Sequence, residues 1–324
     1  MRIRCALVAA AATALVAGCA SDNSTTETAT DAVTVEHVYG STTIEGSPER
    51  IVAASSQWVD ALLEFGVQPV AYLSAGSMGD ERGLFPWQQD IAADAVALDS
   101  TAMMTGGDLP VEEIAALAPD LVLGAWTVTT QTGYDTLSAV APTLPLLSDA
   151  AVDRWDEQVR TLGEILDREE DAEKIIADRE AEIAAAALPG LEGRTGVLAM
   201  YMFGQEQFVV VADPNDGSAV LFDQLGMSLP PSLLEEPGVN QGRLMLSPER
   251  IDVLAGDLLI MLPQGGTEAD LMALPGFAEL PAVTGGGFAL VDYATVAAFN
   301  TPSSLSIGYA LDTIRPQLEA IAGA

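Results

Sequence analysis

A short segment that occurs twice constrains the fold of this chain more than any other feature of its sequence. The copies are Glu112–Leu123 and Glu249–Ile260, separated by a constant offset (249 − 112 = 137). Each copy reads as a helix, a proline or glycine that ends it, and an apolar run typical of a buried strand. A weaker echo relates Leu62–Val67 to Phe222–Met227. The repeats predict two similar α/β lobes, although unrelated α/β units can also resemble one another.

Two amphipathic helices are predicted between the lobes. Asp167 and Glu170 are typical of a capping box that begins the second helix, which is expected from about Glu169 to Ala187. At 1.5 Å per residue this helix is roughly 28 Å long, enough to connect two lobes. In the closing helix near the end of the chain, Pro316 is expected to cause a bend or a break. The predicted units are an N-terminal α/β lobe (33–149), connecting helices (150–190) and a C-terminal α/β lobe with a closing helix (191–324).

The charge balance is strongly acidic and excludes one large class of partners. The chain has 47 Asp and Glu against 13 Lys and Arg, a net charge of −34. Such a surface repels phosphate backbones, so we expect no nucleic-acid partner. It also opposes direct docking on anionic lipid. A solvated acidic coat explains most of this charge.

The first residues are typical of a bacterial lipoprotein signal. Arg2 and Arg4 precede an apolar stretch that is short for a membrane span, and Val16-Ala17-Gly18-Cys19 closes it with small residues before a cysteine. We predict a signal peptide over 1–18, lipidation of Cys19, a flexible tether over 19–32, and attachment to the outer face of the cytoplasmic membrane. An ordinary secretory signal is the alternative. With Cys5 removed and Cys19 modified, no disulfide or Cys-based metal site is expected.

Histidine usage argues against catalysis and against binding of a bare metal ion. His37 is the sole histidine and lies in a predicted entry strand, so a structural role is expected for it. Histidine-dependent hydrolases need a base beside the nucleophile, and no Gly-x-Ser-x-Gly elbow occurs. Sites for bare zinc or manganese use several histidines. We therefore predict no catalytic residue, no cofactor and no resident metal.

An ordered set of segments resembles a known family. The set comprises the lipoprotein signal ending at Val16-Ala17-Gly18-Cys19, the segments Pro48–Ala53, Glu64–Val67, Glu112–Leu123 and Leu137–Thr143, the long connecting helix predicted from about Glu169 to Ala187, and Pro302–Leu305. In this order it is similar to the substrate-binding lipoproteins of ferric-siderophore ABC importers, a group that includes cobalamin- and haem-binding members. The resemblance covers nearly all of residues 33–320. It implies two three-layer α/β lobes joined by one rigid helix, with a ligand cleft between them.

The resemblance also implies what the protein does. We expect a monomeric receptor that captures a ferric siderophore and delivers it to an ABC permease. Cobalamin or haem is the alternative cargo. An enzyme on the same two-lobed scaffold and a structural cell-surface protein are more distant alternatives.

The leading glutamate of each repeat copy is a candidate contact to the permease. In the family, one acidic residue per lobe meets arginines of the permease, and the matching positions here are Glu112 and Glu249. Exposed pairs contribute about 0–1 kcal/mol each, so they would set orientation more than affinity. The alternative is that both simply favour a helix N-terminus.

The ligand is expected at loops that follow the carboxyl ends of the strands. The aromatic, methionine and arginine residues at such positions are Trp58, Arg82, Trp87, Met103 and Trp126 in the first lobe, and Tyr201, Phe203, Arg243, Tyr293 and Phe299 in the second. Aromatic faces suit the body of a siderophore, and guanidinium groups suit the oxygens around its iron. Core packing is the alternative for each aromatic residue, and Tyr201 or Tyr293 could ligate haem iron. Because cations are few, a neutral or weakly anionic hydroxamate or mixed-ligand siderophore is favoured over a triscatecholate.

Overall fold

The first lobe is built on a parallel sheet. The structure is a computed structural model that describes residues 32–101, 108–150 and 152–324. The hairpin strands are β1 (Val33–His37) and β2 (Gly40–Ile44). The lobe's sheet consists of β3 (Ile51–Ala53), β4 (Ala71–Leu73), β5 (Val96–Leu98), β6 (Leu121–Ala125) and β7 (Thr143–Pro145), in the order β5-β4-β3-β6-β7. Its helices are α1 (Ser56–Glu64), α2 (Val111–Ala116) and α3 (Gln131–Ser138), with a 3₁₀ turn at Gly76–Met78.

Both faces of the first lobe's sheet are packed, so this lobe has three layers. Ile51 and Ala53 of β3 face one hydrophobic cluster, whereas Val52 between them faces another. Because successive side chains of a strand point to opposite faces, both faces of the sheet are covered by apolar packing. The predicted three-layer arrangement is therefore present in the first lobe.

Two helices connect the lobes, and one sequence-based expectation about them is wrong. They are α4 (Trp155–Ile165) and α5 (Glu169–Ala186), which at 18 residues is about 27 Å long. The predicted capping box is absent, because Asp167 has a left-handed backbone (φ 55°) within the turn between the helices. Arg168 is the N-cap residue instead, and its side chain makes no capping bond. Its guanidinium donates to the Phe65 carbonyl oxygen, which ties the turn to the first lobe.

The second lobe shares the central strands of the first but differs at one edge. Its sheet consists of β8 (Gly196–Met202), β9 (Gln207–Val211), β10 (Arg243–Leu246), β11 (Leu258–Gln264) and β12 (Phe288–Leu290), in the order β10-β9-β8-β11-β12. Strands β8, β11 and β12 are parallel, as in the first lobe. Strand β9 forms a hairpin with β8 and is therefore antiparallel to it. Strand β10 is in turn antiparallel to β9. The lobes are therefore similar at their centres only.

The remaining helices lie in the second lobe. They are α6 (Gly217–Gln224), α7 (Pro231–Leu234), α8 (Glu268–Met272), α9 (Pro281–Gly285), α10 (Tyr293–Asn300) and α11 (Ser306–Ala322), with 3₁₀ turns at Pro189–Leu191 and Pro248–Leu254. The closing helix α11 continues through Pro316, so the expected break is wrong. Within the described ranges, no helix combines the length and apolar character that crossing a bilayer requires.

The repeated segment has the same anchoring role in both lobes. The Asp120 carboxylate accepts a hydrogen bond from the Arg50 backbone N–H at 2.8 Å, just before β3. The Asp257 carboxylate accepts one from the Thr195 backbone N–H at 2.8 Å, just before β8. In each copy the aspartate N–H returns a bond to the carbonyl oxygen of the same partner. The repeated aspartate therefore fastens the start of one central strand to the next.

The helix halves of the two copies differ. The first copy forms the α-helix α2, but the second forms the 3₁₀ turn Pro248–Leu254, which Arg250 interrupts with non-helical angles. The prediction of a helix followed by a buried strand is thus confirmed for the strands of both copies and for the helix of the first.

A single hydrophobic cluster runs through both lobes. It contains Ile51 of the first sheet, Leu162 of α4, Ile260 of the second sheet and Ile314 of α11. The face of each sheet that points toward the other lobe is therefore packed into a common core, while the opposite faces have clusters of their own.

Candidate functional site

A large cavity lies where the two lobes meet. It encloses about 300 Å³. The first lobe contributes residues that follow strand ends, namely Ser56 after β3, Ser74 and Met78 after β4, Phe85, Ser100 after β5, and Trp126 after β6. The second lobe contributes residues of α10 and its end, namely Tyr293, Val296, Ala297, Asn300 and Thr301. Carboxyl ends of parallel strands and one helix thus form its walls, as expected for a ligand site in an α/β sheet.

A smaller cavity adjoins it on the second lobe. It encloses about 90 Å³ and shares Tyr293, Val296 and Asn300 with the larger one. Its other wall includes Met200 of β8 and Arg243 at the start of β10. We refer to the two cavities together as the cleft. Because Tyr293 lines both cavities and is 38% exposed, its ring is available to a ligand in either.

Arg243 is held by two partners at the cleft wall. Its Nη1 lies 2.5 Å from Oδ2 of Asp216, and its Nη2 donates to Oδ1 of Asn300 at 3.1 Å. Asp216 is itself the N-cap of α6 and accepts from the Ser218 backbone N–H. The guanidinium is therefore fixed in place, and a buried carboxylate compensates its charge.

Trp126 lines the cleft and has a hydrogen-bond donor that the protein does not use. The indole follows β6 directly, after Ala125, whose backbone is left-handed (φ 51°) and turns the chain out of the sheet. The Nε1–H is buried and has no hydrogen-bond partner among the described residues. A buried N–H without a partner costs free energy.

A buried carboxyl group connects the lobes beneath the cleft. Asp60 of α1 accepts hydrogen bonds from Gln88 Nε2 at 2.6 Å, from Trp87 Nε1 at 2.8 Å, and from the Ser303 hydroxyl of the second lobe. Burial raises the pKa of Asp60 to about 7, although these three donors act in the opposite direction. Gln88 also lines the cleft, so this cluster supports the cleft's floor.

Three of the predicted ligand residues lie on the cleft. These are Trp126, Arg243 and Tyr293. Each of the three lies directly after a strand or at the first residue of a strand or helix, where the side chain can point past the edge of the sheet.

Three other first-lobe candidates, Trp58, Trp87 and Arg82, do not lie on the cleft. Trp58 is 0% exposed, because the third position of α1 turns it onto the sheet, and it is a core residue. Trp87 packs against Phe85 and Tyr309 and donates to Asp60. The Arg82 guanidinium binds the carbonyl oxygens of residues 91 and 92 and organises its own loop. Met103 lies outside the described residues, as does Cys19.

The other second-lobe candidates are also structural. Tyr201 is buried on the far face of the sheet, because it follows Met200 on β8 and successive side chains alternate. Phe203 packs edge-on against the Tyr201 ring on that same face. Phe299 is fully buried in the common core.

Sequence reasoning missed small and polar residues of the cleft. Ser56, Ser74 and Ser100 each come just after a strand of the first lobe, and that position was the available signal. Val296, Ala297 and Asn300 lie on one face of α10, and no local pattern in the sequence distinguishes that face as ligand-facing.

The two repeat glutamates lie on the surface, one on each lobe. Glu112 is in the first turn of α2, and Glu249 is in the first turn of the 3₁₀ segment. Both are exposed, and neither carboxylate has a partner among the described residues.

His37, the sole histidine, is buried in the structure. Its Nε2 lies 2.9 Å from the Thr42 hydroxyl, and burial lowers the pKa of the imidazole. Within the described ranges, no three His, Cys, Asp or Glu side chains converge as a metal site.

Comparison with known proteins identifies relatives of this chain. A sequence model of the family described as periplasmic binding protein matches residues 86–292. A probable siderophore-binding lipoprotein of Bacillus subtilis, YfiY, is 26% identical over 205 residues, or 62% of this chain and 59% of that protein. The Fe(3+)-citrate-binding protein YfmC of the same organism is 28% identical over 193 residues, or 57% of this chain and 58% of that protein. Each match therefore spans less than two-thirds of the relative's length.

Solved structures share the whole fold. A periplasmic solute binding protein from Mycobacterium smegmatis superposes with a TM-score of 0.74 at 25% identity. The superposition covers 90% of this chain and 99% of that one. The two-lobed α/β fold predicted from the repeat is thereby confirmed.

Proposed function

Because this chain belongs to the periplasmic binding protein family, we propose that it is an extracytoplasmic receptor that binds a ferric siderophore and presents it to an ABC permease for iron uptake. The family is one of solute-binding proteins, and YfiY is named for siderophore binding. The observation that supports the proposal most directly is the cleft. It lies between the lobes, is walled by strand ends, and is large enough for part of a chelate ligand.

The composition of the cleft suits a bulky and partly apolar chelate. Phe85, Trp126 and Tyr293 provide aromatic faces, and Met78 and Val296 add aliphatic surface. The unpaired Nε1–H of Trp126 can donate to an oxygen of the ligand. No bond has to be made or broken in such a site, so the protein acts by capture and release and no catalytic residue is assigned.

Delivery would use the two exposed repeat glutamates. Glu112 and Glu249 present one free carboxylate on each lobe at equivalent places in the repeat. Two like charges so arranged can orient a permease that carries arginines at matching positions. Lipidation at Cys19 would hold the monomeric receptor at the outer face of the membrane, within reach of that permease.

Haem is the second candidate cargo, since one observation favours it. The exposed phenol of Tyr293 lies on the cleft and could ligate haem iron. Tyr201, the other tyrosine considered from the sequence, is buried on the far face of its sheet and cannot reach the cleft.

A ligand titration tests the proposed function. Tryptophan fluorescence of the purified protein is followed during addition of ferrichrome, ferric enterobactin, Fe(3+)-citrate, haem and cobalamin. We expect saturable quenching with at least one ferric siderophore, because the Trp126 indole lines the cleft. Saturation by haem or cobalamin alone would reassign the cargo, and five flat titrations would refute the receptor function.

A further inference from the structure

Every cationic side chain in the described part of the chain is already engaged. Eleven lysines and arginines follow residue 31 (13 minus Arg2 and Arg4), and all belong to the described residues. Each one donates to a carboxylate or to a backbone carbonyl oxygen of the protein. The residues outside the described ranges in this part of the sequence, 102–107 and 151, have no ionisable side chains. From residue 32 onward, therefore, no lysine or arginine is without a partner in the protein.

Arg243 is the single lysine or arginine among the described residues that lines the cleft. Its guanidinium is divided between the Asp216 carboxylate and the Asn300 amide oxygen. Asp216 is only 6% exposed, so this carboxylate is not free to move into solvent and release the arginine. An anionic ligand that binds the remaining N–H groups of Arg243 would meet a guanidinium whose charge the buried Asp216 carboxylate already compensates.

The surroundings of this pair add negative potential. A further cavity of about 250 Å³ shares Asp216 and is also lined by Asp149 and Asp213. The whole chain has a net charge of −34. In a site partly shielded from water, such charges act on a ligand more strongly than they would in bulk solvent.

Ferric chelates differ in net charge according to their ligating groups. Three hydroxamates cancel the charge of ferric iron, three catecholates leave a trianion, and citrate complexes are anionic. An anion that enters a dry site without a compensating cation loses its hydration and gains little in return. A neutral chelate avoids this cost, and the apolar walls of the cleft favour its organic shell.

We infer that the cleft selects ferric chelates without net negative charge, of the trishydroxamate class, and excludes triscatecholates and citrate complexes. This inference rests on the proposed receptor function. It extends that function by naming the feature that sets specificity, the Arg243–Asp216–Asn300 cluster, in which a buried carboxylate compensates the charge of the cleft's cation.

The first test compares chelates of different charge on the wild-type protein. Ferrichrome, ferric enterobactin and Fe(3+)-citrate are titrated at the same pH and ionic strength. We expect ferrichrome to bind at least about tenfold more tightly than either anion. Tighter binding of either anion would overturn the charge selection while leaving the receptor function intact. Flat titrations with all three, and with haem and cobalamin, would refute the receptor function itself.

The second test releases the arginine. Asp216→Asn keeps the N-cap of α6, because asparagine caps a helix as well as aspartate does, but it removes the compensating charge. We expect the affinity for Fe(3+)-citrate and ferric enterobactin to rise by about tenfold and that for ferrichrome to stay within about threefold. The matched control is Asp213→Asn, which changes the net charge equally at a residue that does not contact Arg243. Equal gains in both variants would overturn the role of the pair, as would no gain in D216N with an unchanged melting temperature.

Discussion

The hydroxyl group of Ser303, which precedes the last helix, donates a hydrogen bond to the carboxylate of Asp60 in the first helix, 243 residues earlier in the chain. A second bond runs beside it, from Gln57 Nε2 to the Pro302 carbonyl oxygen at 2.7 Å. Both are buried and join the two lobes directly below the cleft. Since buried polar groups need their partners, these bonds fix the relative position of the lobes at this point.

The Asp60 carboxyl group should make stability depend on pH. Its pKa is about 7 in the folded protein, mainly because of burial and with a small contribution from Glu64, and 3.8 is its ordinary value. The folded state therefore holds the proton more tightly than the unfolded state. The resulting stabilisation is complete below about pH 4 and is lost as the pH rises through 7, a change on the order of a few kcal/mol.

Thermal unfolding of wild type and Asp60→Asn between pH 4 and pH 8 measures this contribution. We expect the wild-type melting temperature to fall relative to that of D60N by several degrees over this range. Asp153, whose pKa burial raises to about 6, contributes in the same direction in both proteins and cancels in the difference. Ser303→Ala is the control, since it removes one donor but keeps the titrating group, and its pH dependence should persist. A pH-independent difference between wild type and D60N would contradict the assignment.

Trp126→Phe should weaken ligand binding without weakening the fold. The substitution keeps an aromatic ring in the cleft but removes the Nε1–H that has no partner in the protein. One lost hydrogen bond of about 1 kcal/mol corresponds to roughly a fivefold to tenfold increase in Kd. Ligand-induced fluorescence quenching should also fall sharply.

A matched control is available for that experiment. Trp58 also has a buried Nε1–H without a partner, but it lies in the core and is 0% exposed. Trp58→Phe should leave the Kd unchanged and retain the quenching. Similar losses of affinity in both variants would show that the Trp126 effect is structural.

Reversal of the charge at both repeat glutamates should separate ligand binding from delivery of the ligand to the permease. In Glu112→Lys with Glu249→Lys, we expect ligand affinity to stay within about twofold, because both side chains are exposed and outside the cleft. Association with the reconstituted permease should weaken by about tenfold, as expected for the loss of two surface pairs and the gain of like-charge repulsion. Uptake of ⁵⁵Fe-loaded ligand and direct binding to the permease are the measurements.

The control for the glutamates changes the same number of charges elsewhere. Glu164 and Glu170 on the connecting helices are also exposed. Their double reversal to lysine should leave uptake near the wild-type rate. Equal loss of uptake in both double variants would assign the effect to net charge, and unchanged uptake in the first variant would exclude docking through Glu112 and Glu249.

Both repeated aspartates should contribute to stability, and Asp257 at least as much as Asp120, because its carboxylate also pairs with Arg194 at 2.9 Å. Asp120→Asn and Asp257→Asn each weaken the bonds that fasten a central strand, and each should cost at least about 1 kcal/mol in the free energy of unfolding. Since the two sites lie in different lobes and share no contact, the double variant should show the sum. Chemical denaturation measures all three. A cost confined to one site would mean that the repeat preserves sequence without an equivalent structural role.

Much of the fold could be predicted because the relevant signals are local. The apolar runs at Leu121–Ala125 and Leu258–Gln264 have the composition of buried strands, and the repeat relates them directly. The predicted bounds of the connecting helix α5 agree with the structure to within one residue, although the capping box that indicated its start is absent. The antiparallel edge of the second lobe was not predicted: β9 pairs locally with β8 across residues 203–206, whereas β10 pairs with β9 across about 30 residues of intervening chain.

The location of the cleft could be predicted from the sequence, but the identity of the side chains that line it could not. Trp58 and Trp126 both follow a buried strand, yet one is in the core and the other lines the cleft. The difference arises from backbone geometry: Trp58 lies inside a helix, whereas Trp126 follows the left-handed Ala125. Met200 and Tyr201 are neighbours on one strand, and only the register determines which of them faces the cleft. Sequence patterns contain neither the dihedral angle nor the register.

The hydrophobic cluster that passes from the first sheet through α4 into α11 joins the beginning and the end of the chain in one core. Tyr309 of α11, near the end of the chain, packs at a tilt against Trp87 of the first lobe, with ring centroids 5.0 Å apart. The first half of the protein therefore lacks part of its covering until the last residues have left the ribosome. The protein is therefore expected to fold stably only as a complete chain. Once complete, it should melt in a single cooperative transition.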